Sequence, residues 1–284
     1  MTLYAALEAG GTKFRPAIVD DDMNIVDQAW VPTTTPSETL SACIEFFAGH
    51  DVASLGIASF GPLVVNREAD DYGAVAKTPK PHWSHAPLLS DLVTALGVPG
   101  DIQTDVEAAA VAEWKHGAGA GHSSVAYVTV GTGIGAAVAI DGVPFRGRIH
   151  TELGHIPVKR VEGDTFAGLC PFHGDCLEGM ASGPAIAARW DADPATLDDR
   201  DDVWDMEASY LAQLVRVFTL GFAPDIVLFG GGVGTRPDMA GRIAEASEVD
   251  LADYAVDGPP VIATAGLGAD AGVIGAALIA QSLL

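Results

Sequence analysis

Apolar residues fall in short dense stretches separated by glycine turns, and that spacing sets the expected elements. Residues 4–9 (Tyr-Ala-Ala-Leu-Glu-Ala) are followed by Gly10-Gly11-Thr12, after which a second apolar stretch runs to Asp20. Apolar, β-branched-rich runs on either side of a glycine turn predict two strands joined as a hairpin. The plan returns at 125–141, where Val-Ala-Tyr-Val-Thr-Val leads into Gly131-Thr132-Gly133 and a further apolar run ending at Asp141. Two such openings imply a duplicated architecture. Glycine in both turns permits positive φ and close backbone approach, which a phosphate-cradling turn requires.

Helical spacing fills the intervals. Residues 105–116 read as a helix with Thr104 or Asp105 as its cap and Gly117 just past its end. The glycine-rich stretch 117–122 is a connection and a lobe boundary. A long amphipathic helix is predicted over 203–222. It leads to a strand at 225–229 and another glycine turn, Gly230-Gly231-Gly232-Val233-Gly234. Residues 191–202 contain six aspartates and read as a solvated loop, and 271–284 as a closing apolar helix. Alternating strands and helices with glycine at strand ends predict an α/β protein with ligands in a cleft. The expected division is an N-terminal lobe over 1–116, with 271–284 packing back on it, and a C-terminal lobe over 117–270.

Composition narrows the function. Across 284 residues, 49% are hydrophobic and 19% charged, which suits a well-packed globular chain. The formal charge of −23, with only 15 Lys and Arg, opposes a nucleic-acid partner. Salt adaptation and general solubility would each produce such acidity. No apolar run approaches the roughly 20 residues that cross a bilayer, so no membrane partner is expected. The N-terminus lacks a basic segment ahead of an apolar one, which argues against secretion. Three cysteines argue against a disulfide scaffold and for the reducing cytoplasm.

Two of those cysteines carry the strongest local signal. His155 precedes Cys170-Pro-Phe-His173-Gly-Asp-Cys176, a C-x2-H-x2-C run. Two thiolates and two imidazoles at this spacing suit a closed tetrahedral zinc site of structural type. Such a site would pin a loop that also carries Glu152 and Glu178, whose carboxylates can read sugar hydroxyls.

These motifs, in this order, resemble the ROK family of sugar kinases within the actin-like ATPase superfamily, and within it the bacterial fructokinases. The resemblance rests on Glu8-Ala-Gly-Gly-Thr-Lys-Phe14, Gly56-Ile-Ala-Ser-Phe-Gly-Pro62, Thr78-Pro79-Lys80-Pro81 with Trp83, and the Cys170–Gly179 run, and it covers nearly the whole chain. It implies a two-lobed, ribonuclease H-like α/β fold with a cleft between lobes. It also implies a homodimer that moves the γ-phosphoryl group of Mg·ATP to the 6-hydroxyl of a hexose, D-fructose above glucose, mannose or N-acetylmannosamine. By resemblance, Asp105 is the general base. Gly10, Gly11, Thr12, Lys13, Gly131, Thr132, Gly133, Pro184 and the 230–234 turn hold ATP. Gly61, Pro62, Glu107, Glu152, His155 and Glu178 contact the sugar. Zinc sits on His155, Cys170, His173 and Cys176, and Mg²⁺ accompanies ATP. The chain departs from the family in one place. Glu107 stands where the family carries Asn, so its contact to substrate is open. A sugar-sensing regulator or a non-catalytic sugar-binding protein is the reading from another class. The acidity and Asp105 oppose those two in turn, and the first strand, starting near Leu3, leaves no room for a DNA-binding segment ahead of it.

Overall fold

The computed structural model describes residues 1–252, 254 and 258–284. Contacts divide the chain into two compact units. The first comprises Met1–Ala112, Phe145–His150 and Ala269–Leu284, the second Glu113–Pro144 and Thr151–Gly268.

In chain order the first unit contains β1 (Leu3–Ala9), β2 (Lys13–Asp20), β3 (Ile25–Gln28), β4 (Val31–Pro32), α1 (Pro36–Ala48), β5 (Ser54–Ser59), α2 (Leu88–Leu96) and β6 (Gly100–Thr104). Helix α3 (Asp105–His116) begins in this unit. Its sheet runs β3-β2-β1-β5-β6, with β4 also against β2. The β1, β2 and β3 pairings are antiparallel, while β1–β5 and β5–β6 are parallel. The predominantly apolar run of β1, broken only by Glu8, follows from burial on both faces. Ala5, Leu7 and Ala9 join a core with Phe14, Leu40, Phe47, Trp83 and Leu92, whereas Ala6 faces the opposite layer. Thr35 starts α1 through a capping box with Glu38.

The second unit repeats the plan. It holds β7 (Ser124–Val130), β8 (Ile134–Ile140), β9 (Val143–Pro144), α4 (Leu177–Ala181), α5 (Gly183–Trp190), α6 (Asp201–Gly221), β10 (Ile226–Gly230), α7 (Gly231–Gly234), α8 (Met239–Leu251) and β11 (Val261–Thr264). Its sheet runs β11-β10-β7-β8-β9, antiparallel through β7, β8 and β9 and parallel through β7, β10 and β11. A hairpin extended on one side and parallel strands on the other describe both sheets.

The chain closes with α9 (Ala271–Gln281), buried from Ala271 to Ala280 against Ala6, Ala17, Val19 and Ala58 of the first sheet. The approach is close because β5 carries Gly56, where a Cβ would lie 1.9 Å from the Ala276 carbonyl oxygen. Among the described residues no helix is long and apolar enough to cross a membrane.

Several boundaries differ from expectation for physical reasons. Helix α6 starts at Asp201, because Asp201 and Asp202 occupy its first turn, where the helix dipole favours carboxylates. Within the expected 191–202 loop, Pro194–Thr196 forms a 3-10 turn. The glycine run after β10 is a single helical turn, and α9 ends at Gln281. The last turn of α3 belongs to the second unit. There the buried Glu113 carboxylate accepts the backbone N–H groups of Ala118 (2.9 Å), Gly266 (2.9 Å) and Leu267 (2.8 Å). Phe145–His150 belongs to the first unit, held by an ion pair and a histidine contact described below.

Candidate active site

In the first unit, strands β1, β5 and β6 are mutually parallel, with Ala9 beside Ser59 and Ser59 beside Thr104. Their C-terminal ends therefore lie side by side, the usual position for ligands in α/β sheets. Each end delivers a predicted residue. After β1 comes the Gly10–Thr12 turn, closed by Gly10 N–H donating to Lys13 O (3.0 Å). After β5 comes the cis Gly61–Pro62 bond, and after β6 comes Asp105 at the start of α3. Asp105 is half-buried and its Oδ1 accepts from Val106 N–H at 2.9 Å. The start of α3 is also braced by Thr104, whose hydroxyl accepts Glu107 N–H at 3.3 Å.

Glu107 does not present an open carboxylate. It is 1% exposed, and Arg146 donates Nε to Oε1 and Nη2 to Oε2, each at 2.7 Å. Thr104 N–H also donates to Oε2 at 3.1 Å. The expected sugar contact is thus an internal ion pair with a fork-on-fork geometry. Four residues on, the His150 Nε2 accepts Leu63 N–H at 3.0 Å. The 145–150 segment is therefore fastened at one end to the helix that Asp105 opens, and at the other to the residue after Pro62. Lys13 points away from the glycine turn, with Nζ 3.7 Å from the Trp30 ring centroid.

The second unit places five of the expected nucleotide residues around one cavity of about 630 Å³: Gly131, Thr132, Pro184, Gly232 and Val233. Gly131 and Gly231 follow β7 and β10, which are parallel neighbours, so this is again a shared C-terminal edge. Gly183 N–H donates to Gly131 O at 2.8 Å and joins the β7–β8 turn to the start of α5. Trp204, Asp198 and Arg236 are also part of its wall. The Arg236 guanidinium stacks 3.6 Å from the Trp204 ring centroid and its Nη1 bonds Asp198 Oδ1 at 2.5 Å. A planar guanidinium backed by an aromatic ring is a surface on which a flat heteroaromatic ring can stack.

The C-x2-H-x2-C run closes as its spacing predicts. Ligand atoms of His155, Cys170, His173 and Cys176 all lie within 4.8 Å of one another. The Cys170 Sγ is 3.7 Å from Nδ1 of both histidines, and Cys176 Sγ is 3.5 Å from His155 Nδ1. A tetrahedral zinc with bonds of about 2.3 Å to sulfur and 2.0–2.1 Å to nitrogen separates those atoms by about 3.6 Å. The donor set and spacing fit such an ion. Without one, burial raises the Cys176 thiol to about 11; a coordinated cation would deprotonate it.

Beside this cluster, Glu178 lies in the first turn of α4 and accepts Ile134 N–H at 3.0 Å. It reaches the second glycine turn because Gly133 has no side chain: a Cβ there would sit 2.6 Å from Glu178 Oε2. Glu152 is exposed just ahead of the 3-10 turn that carries His155. His155 turns Nδ1 to the sulfurs, leaving Nε2 as its outward nitrogen. Sequence reasoning missed Arg146, Asp198 and Arg236. No local motif marks them, since each partner lies more than 30 positions away along the chain.

The two α/β sheets and the glycine turns at their edges are those of the actin-like ATPase fold, and the chain belongs to the ROK family, whose pattern matches residues 4–282. It is 39% identical to a fructokinase of Pediococcus pentosaceus, over 99% of both chains. It is also 39% identical to a fructokinase of Zymomonas mobilis, over 98% of this chain and 96% of that one. Among solved structures it superposes on a ROK hexokinase from Thermus thermophilus with a TM-score of 0.81, at 28% identity and 99% coverage of each chain.

Proposed function

We propose that this protein is a hexose kinase that transfers the γ-phosphoryl group of Mg·ATP to the 6-hydroxyl of D-fructose. One observation carries the proposal: a glycine turn, the Gly61–Pro62 bend and a half-buried carboxylate end three adjacent parallel strands. The full-length likeness to fructokinases supports fructose as the acceptor.

Phosphoryl transfer asks a protein chiefly for positioning and charge stabilisation. Asp105 accepts the proton of the attacking hydroxyl. Its place at a helix N-terminus favours the ionised form needed for that role. Backbone N–H groups of Gly11 and Thr12 orient phosphate in the first unit, and those of Thr132 and Gly133 do so in the second. The cavity over Trp204 and Val233 takes the adenine. His155, Cys170, His173 and Cys176 hold a structural Zn²⁺, and the clamped loop presents Glu152, Glu178 and the outer edge of His155 to sugar hydroxyls. Zinc supplies rigidity there and takes no part in the transfer.

A coupled ADP-release assay over a panel of hexoses tests the proposal, with fructose expected to give the highest kcat/KM. Asp105→Asn should lower kcat by about 10²–10⁴ while sugar and ATP still bind. Activity of that variant within a few-fold of the parent would refute the assignment of the base.

A further inference from the structure

The lysine beside the first glycine turn does not serve it. Lys13 lies over Trp30, and another cation takes its place. Lys80, from the Thr78–Pro81 loop, donates its ammonium to the carbonyl of Gly11, at the tip of the turn. The loop is rigid around it. Thr78 and Ser84 bond each other through Thr78 N–H to Oγ (3.1 Å) and Oγ–H to Thr78 O (3.0 Å). Trp83 is fully buried, donates Nε1–H to Thr34 O at 2.9 Å, and packs on Phe14 and Phe60 at ring-centroid distances of 5.1 and 5.7 Å. Phe14 is the second residue of the strand after the glycine turn and Phe60 immediately precedes Gly61–Pro62, so the loop is tied to both sides of the same sheet edge.

An ammonium on a neutral carbonyl is held more weakly than one on a phosphate oxygen. A phosphate seated on the N–H groups of Gly11 and Thr12 would lie within reach of Nζ and would outcompete the carbonyl. In a chain of net charge −23, a γ-phosphate gains most from a cation fixed at that spot. Resting on the kinase reading above, we propose that Lys80 is a catalytic residue that leaves Gly11 to bind the γ-phosphoryl oxygens. In the step it serves, the bond from fructose O6 to Pγ forms and the bond from Pγ to the β,γ-bridging oxygen breaks. The O6 proton passes to Asp105, and ADP departs with the electron pair. Lys80 keeps its proton throughout and offsets charge on the transferring group.

The test compares the parent with Lys80→Met and Lys80→Arg. Loss of one preorganised electrostatic donor typically costs about 10²–10³ in kcat, and that loss is expected for Lys80→Met with the fructose KM within about threefold. Affinity for the non-hydrolysable analogue AMP-PNP should fall about tenfold while ADP affinity holds, since ADP lacks the γ-phosphate. Lys80→Arg should restore most of the AMP-PNP preference, which a merely structural role would not do. A Lys80→Met enzyme within about threefold of the parent kcat overturns the inference, as does an equal loss of ADP and AMP-PNP affinity in either variant. Failure of the parent to turn over any hexose would refute the kinase reading itself, whereas an active parent with an active Lys80→Met refutes only the role of Lys80.

Discussion

Replacing Arg146 with Met should destabilise the protein. The guanidinium is the ionic partner of Glu107, whose side chain is 1% exposed and whose two oxygens both accept from it. Stranding a buried charge by removing its partner typically costs about 3–5 kcal/mol. The variant should therefore lose about 3–5 kcal/mol. Urea unfolding of parent and variant, extrapolated linearly, measures the loss. Changing Glu107 and Arg146 to Met together should recover most of the loss, because exchanging a buried ion pair for apolar groups is often near neutral. A loss below about 1 kcal/mol would refute the claim that Glu107 depends on this pair.

Two further substitutions probe the second unit. Purified protein should contain one zinc per chain, and Cys170→Ser should release it and lower the melting temperature, since an opened site forfeits its share of the folding free energy; a metal-free parent prepared without chelators and fully active would contradict this. Glu207 is buried in α6, and among the described residues neither of its carboxylate oxygens has a hydrogen-bond partner. Burial lifts its carboxyl well above 4.5, with the Arg189 charge opposing. Its contribution to stability is thus full below that ordinary value and is lost as pH rises toward the folded pKa. Glu207→Gln should gain melting temperature relative to the parent between about pH 5 and pH 8, and a gap that stays constant would show that Glu207 does not titrate in the fold.

What the sequence reveals and conceals follows from how far apart the partners lie. The two hairpins were legible because strands buried on both faces become predominantly apolar runs, as in β1 and β7. The metal cluster was legible because three of its four ligands fall within seven residues. The start of α6 was not, since carboxylates suit a solvated loop and a helix N-terminus equally well. Glu107 drew notice as an acid at an amide position. Its partner did not, because Arg146 reaches it only through a segment that leaves the second unit, joins the first and returns. The same holds for Arg236 on Trp204 and Lys80 on Gly11. Such pairings are products of topology, and no local spacing announces them.

The central claim is the transfer of phosphate to O6 of fructose, and ³¹P NMR of the reaction mixture tests it most directly. With Mg·ATP and fructose, the γ-phosphate signal should disappear as fructose 6-phosphate and ADP appear in equal amounts. ADP accompanied by inorganic phosphate alone, or a sugar phosphate substituted at C1, would contradict the account.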